Sequence, residues 1–329
     1  MFSIEVFYYA LYTNVFKPAR IRPLYFYPFG STAEKDLQIG YVQAEFEKNP
    51  KCKDHVIFYD QEPLLDSSKK LFYGRSLQTN RALKILANSE VSPLKKQICK
   101  DYGYLDWYYF YHGFAALDWY RDFRYLENAK LNFKNAFLSL NRLVTADRSY
   151  RLALVSEYME RNLLSKGSVS LHLNDMGYKT WKEELNDSNT KIPESFKAQI
   201  IKHMSPLTQS LIVDRENVPG YASADTGSEA VKLNQQSLFH IVSETIFYYD
   251  KLHLTEKIFK PIVSKRPFIL VAAPGNLNYL KNYGFKTFDR WIDESYDYEQ
   301  DPVVRIKKIV DEIEKISKLS LSDLNNLYE

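Results

Sequence analysis

The chain has 329 residues, 45% hydrophobic and 26% charged, the balance of a soluble globular protein with two domains or one large one. A net charge of +3 is too small to argue for a nucleic-acid partner by itself, and the clusters Lys95-Lys96 and Arg305-Ile306-Lys307-Lys308 read as solvated faces. Two cysteines, Cys52 and Cys99, offer no disulfide framework and no metal quartet, which points to a reducing compartment.

The first ten residues lack a basic n-region and a small-residue cleavage site, so a signal peptide is not expected. No apolar run approaches the ~18 residues of a membrane span, and a cytoplasmic location is expected. Short apolar runs at Pro23–Pro28, His55–Asp60, Leu83–Asn88 and Trp107–Tyr111 predict strands. Helical patterns at Thr32–Lys48 and Ser92–Tyr102 lie between them. The polar stretch Glu127–Asn135 reads as an interdomain linker. A strand is predicted at Ala136–Arg142, then a helix over Ser149–Leu164 with apolar residues at Leu152, Val155, Tyr158, Met159 and Leu163. Ser168–Leu173 restarts a strand, and Lys179–Val218 is polar and helical with breaks. From Ser237 the alternation returns: strands at Ser237–Ser243 and Pro267–Ala273, a helix opening at Thr255, and helices at Leu277–Tyr283 and Val303–Leu319.

Alternating strand and helix predicts parallel sheets covered on both faces. The expected fold class is α/β, with two Rossmann-like domains, 1–130 and 131–329, and a ligand in a cleft beyond the carboxyl ends of the strands. The final helix is free to cross back to the first domain. The 26 Tyr and 20 Phe suit wide clefts with apolar walls and polar tips, although a compositional bias explains them equally.

The segment Val242–Val263 carries the most chemistry. Glu244 ends a strand, where a carboxylate can accept hydrogen bonds from ribose hydroxyls. Thr255 can cap the next helix, Glu256 in its first turn favours the dipole, and Lys257 can reach a phosphate. On spacing alone, an ordinary capped helix with a solvated Glu–Lys pair fits as well. Glu244, then Thr255-Glu256-Lys257, a strand and Pro274-Gly275 resemble the donor-site motif of the α1,3-fucosyltransferase family. The resemblance spans residues 238–275 and departs at Ser264–Pro267, where that family has small residues. It implies that Glu244 meets the ribose and Lys257 the pyrophosphate of GDP-fucose; the donor expected for this chain is a GDP- or UDP-linked sugar. It also implies a GT-B fold. Gly284–Phe288 with Asp293–Asp297 resembles the tail of viral and phage glycosyltransferase-like proteins.

Two further clusters complete the reading. Asn141, Arg142 and Arg148, with Arg151 beyond, follow the first strand of the second domain. Guanidinium forks suit diphosphates, and the family carries an arginine in a comparable place. Cations at a helix start oppose its dipole, which favours a functional role, whereas pairing with Asp147 is the bland explanation. In the first domain, Asp60 and Glu62 follow a strand and are candidate bases for an acceptor hydroxyl, with His112 as the rival. No Asp-x-Asp occurs and the six His lack ligand spacing, so neither a metal nor a resident cofactor is expected. Gly-x-Gly-x-x-Gly, P-loop and Gly-x-Ser-x-Gly patterns are absent.

The function expected is an inverting, metal-independent hexosyl- or pentosyltransferase acting on a glycan or other hydroxyl acceptor. Transfer onto a modified base in phage DNA and a non-catalytic nucleotide- or glycan-binding module are the alternatives.

Overall fold

The computed structural model describes residues 10–26, 54–59, 63–69, 72–73, 82–108, 113, 116, 133–174, 179–213 and 233–328. Two compact units divide the chain. The first is Met1–Arg124 with Gly220–Ala224 and Lys251–Phe259, and the second is Tyr125–Pro219 with Asp225–Asp250 and Lys260–Glu329.

In the first unit the strands are β1 (Arg22–Phe26), β2 (His55–Tyr59), β3 (Lys84–Ala87) and β4 (Leu105–Trp107), all parallel and ordered as in the chain. Helix α1 (Pro93–Tyr102) precedes β4. Its start follows from Ser92, whose side chain accepts the Lys95 amide, and from Pro93, whose fixed φ suits a first turn. Gly103, at φ 69°, ends it in the left-handed conformation. That tight ending brings the chain back at once, so β4 begins at Leu105, earlier than the predicted Trp107–Tyr111. All five residues of β2 are buried, as expected of a strand covered on both faces.

The second unit contains β5 (Asn135–Asn141), α2 (Tyr150–Glu160), β6 (Gly167–Leu171), α3 (Trp181–Asn186), α4 (Glu194–Met204), β7 (Ser237–Ser243), α5 (Glu256–Val263), β8 (Phe268–Val271), α6 (Asn276–Asn282), α7 (Pro302–Ser317) and α8 (Leu321–Tyr328). The first residues of α5 are grouped with the first unit. The sheet is parallel, in the order β6-β5-β7-β8. The end of the expected linker is part of this unit: Phe133 is buried and Asn135 opens β5, donating to Ser168 Oγ. Gly167 opens β6 because the Phe137 ring lies against it; a Cβ there would sit 2.5 Å from that ring.

Helix α7 is started by Asp301, which accepts the Val303 and Val304 amides, and by Pro302. It buries Ile306, Ile309, Val310, Ile313 and Ile316 on one stripe against β5, β8 and α2 of its own unit. Among the described residues no helix is long and apolar enough to cross a membrane.

Candidate functional site

From β5 the second unit builds outward to β6, then returns to the other side of β5 for β7 and continues to β8. The strand order therefore reverses between β5 and β7. In open parallel sheets, ligands bind beyond the carboxyl ends of the strands at this point, because the two flanking loops diverge and leave a crevice. Here those loops are 142–149, after β5, and 244–250, after β7.

Side chains tie the two loops together. Asn141 Oδ1 accepts from Ser243 Oγ at 2.9 Å, while its Nδ2 donates to Ser139 Oγ (3.1 Å) and the Ser170 carbonyl (3.2 Å). Arg151, 3% exposed, donates to the carbonyls of Leu143 (2.9 Å), Ser243 (2.8 Å) and Glu244 (3.4 Å). Tyr150 donates its hydroxyl to the Glu244 carbonyl at 2.6 Å. Asp147 accepts from the Tyr249 hydroxyl (2.7 Å) and Lys191 Nζ (3.1 Å). The Phe247 ring stacks on Tyr150 at 4.4 Å, and the Arg305 guanidinium lies 4.2 Å from it while donating to the Phe247 carbonyl.

The electrostatics follow from burial. Desolvation raises the Tyr150 and Tyr248 hydroxyls above their ordinary range, so both stay neutral; for Tyr150 the nearby Arg151 opposes the shift. Burial lowers Arg305 to about 10, and neighbouring carboxylates oppose it. Neutral phenols and bound carbonyls form the base of the two loops.

The predicted residues are distributed as follows. Asn141, Arg142, Arg148 and Glu244 come together at the carboxyl edge of the β5–β7 pair. Asn141 is fully buried and spends its amide on the sheet; Glu244 is also fully buried. Arg142 and Arg148 are half-buried on the loop after β5, and Arg148 closes a short 3-10 turn. Arg151 sits at the helix start for a structural reason, the carbonyls it collects, and Asp147 accepts from Tyr249 and Lys191. Arg305, read from sequence as part of a solvated face, is 2% exposed.

Thr255, Glu256 and Lys257 belong to the segment grouped with the first unit. Thr255 Oγ1 accepts the Lys257 amide at 3.3 Å, the capping contact expected of it. Lys257 Nζ donates to Thr255 Oγ1 (3.2 Å) and pairs with Glu256 Oε1 (3.1 Å). Segment 251–259 is anchored within that unit by the pairing of Val91 with Leu252 and by Lys251. Lys251 donates to the Leu64 carbonyl and pairs with buried Glu90 at 3.1 Å. Asp60, Glu62 and His112 lie outside the described residues.

Sequence reasoning missed Tyr150, Ser243, Tyr249 and Arg305 as builders of this edge. The aromatic run Phe247-Tyr248-Tyr249, shortly after the end of β7, was the available signal for Tyr249. Among the described residues no three His, Cys, Asp or Glu side chains are grouped to hold a metal ion. Compared with models of protein families, curated proteins and solved structures, the chain has no match.

Proposed function

We propose that the protein is a GT-B glycosyltransferase that takes a GDP- or UDP-linked sugar at the β5–β7 edge of its second unit. The observation that supports this most is the reversal of strand order there, with Arg142 and Arg148 on one flanking loop and Glu244 opening the other. Half-buried guanidinium groups at such an edge suit a diphosphate, being planar, permanently charged and bidentate. In the reaction, the acceptor oxygen attacks the anomeric carbon as the bond to the diphosphate oxygen breaks, inverting the centre. The bonding pair leaves with the nucleotide diphosphate, stabilised by Arg142 and Arg148. The acceptor proton passes to a general base. Buried Glu244 shapes the wall of the site and reaches ribose only if its loop shifts.

Thermal shift and calorimetry with GDP, UDP and their sugars test the proposal. A nucleotide diphosphate should raise the Tm, and Arg142→Ala and Arg148→Ala should each weaken its binding by about tenfold or more, the worth of a charge-assisted contact. If no such nucleotide binds, the proposal fails. Binding without donor hydrolysis or transfer would instead define a non-catalytic nucleotide-binding module.

A further inference from the structure

A concave site lies at the opposite, amino-terminal edge of the same sheet. It is formed where β7 and β8 begin, where α5 ends, and along the stretch after α6. The cleft encloses about 470 Å³, within the span of about 300–1,000 Å³ usual for small-molecule sites. Phe268, Phe288 and Trp291 are among its apolar walls; among the described residues its charged lining is Lys265, Arg266 and Lys286, with no Asp or Glu.

The walls are preformed. Phe288 meets Phe268 edge to face at 5.2 Å, and Glu294 holds its loop by accepting the Phe288 amide and the Thr287 hydroxyl, both at 2.9 Å. Lys281 pairs with Glu294 at 2.8 Å, so this carboxylate is already engaged in holding the loop. Trp291 is 58% exposed, a large aromatic surface left in water at the rim.

Lys265 supplies an independent observation. It closes α5 in the left-handed conformation, φ 55°, with its amide on the Ile262 carbonyl and the Arg266 amide on the Pro261 carbonyl. Glycine takes this position without steric cost and is the usual residue there. A lysine held in such a conformation at the mouth of a cleft is backbone strain located at a site, the pattern expected where the side chain is needed.

We infer that this cleft binds a small amphipathic anion, an apolar body bearing one phosphate or carboxylate, with the body against Phe268, Phe288 and Trp291 and the head met by Lys265 and Lys286. Buried Arg266, donating to the carbonyls of Asn234 and Lys265, holds the floor. Calorimetry with 1-naphthyl phosphate tests this, with 1-naphthol and inorganic phosphate as the body and the head alone. Decyl phosphate in parallel distinguishes a ring from a chain, and saturable binding of either supports the inference. The expected result is one site per chain, at least about tenfold tighter than for either fragment.

Lys265→Gly should weaken that binding by about tenfold while leaving the Tm unchanged or raised, since it removes both a charge and the strained conformation. Lys286→Gln, on an exposed position, should weaken binding without a fall in Tm. Arg142→Ala, at the far edge of the sheet, should bind as the wild type does. Failure to saturate, equal binding of a fragment, indifference to both lysine changes, or loss in Arg142→Ala would each overturn the inference.

Discussion

Asn141 and Ser243 end the two strands between which the strand order reverses, and the Ser243 hydroxyl donates to the Asn141 carboxamide oxygen across that junction. One buried amide thus links β5, β6 and β7, because its nitrogen also serves Ser139 and the Ser170 carbonyl. The loops that open the candidate site start from this fixed point.

Asn141→Ala should therefore cost about 2–3 kcal/mol, since it leaves buried partners unsatisfied, and Ser243→Ala about 1 kcal/mol. Urea unfolding of both single variants and the double variant measures their coupling. Additive effects would show that the amide and hydroxyl do not act as a pair.

The buried Lys251–Glu90 pair anchors segment 251–259 in the first unit. Lys251→Met should cost about 3–5 kcal/mol, because it strands the Glu90 carboxylate without its cation. Adding Glu90→Gln should recover much of the loss. A destabilisation as large in the double variant as in the single one would point to packing around the lysine stem instead.

His240 on β7 is buried, and desolvation, with Arg266 and Lys260 nearby, lowers it from 6.5 to about 3. Above pH 6.5 the folded and unfolded chains both hold it neutral. Between 6.5 and about 3 only the unfolded chain takes up the proton, so stability falls with acid, by up to about 1.4 kcal/mol per pH unit. Replacement by Leu should flatten the dependence of Tm on pH across that window; an unchanged slope would assign acid sensitivity to other groups.

Gly167→Ala places a methyl group 2.5 Å from the Phe137 ring at the start of β6. Overpacking of this kind costs about 1–3 kcal/mol. Pairing it with Phe137→Leu should return part of that cost, and denaturant midpoints of the three variants decide it.

What the sequence determined by itself was local. The run from Ser237 to Ser243 is apolar enough to be a strand buried on both faces, and Ser92-Pro93 and Asp301-Pro302 announce helix starts through side chains that satisfy amides within three residues. Thr255 was legible as a cap for the same reason.

Only the tertiary structure decided what each polar residue spends its bonds on. Asn141 and Arg151 look like ligand residues in the sequence, and Arg305 like a surface one. In the fold, all three are buried against groups up to about a hundred positions away. The return of the chain to place β7 beside β5, and with it the location of the candidate site, is likewise a long-range pairing. Hydrophobic periodicity reports the faces of an element, and it carries no information about which element will lie beside it.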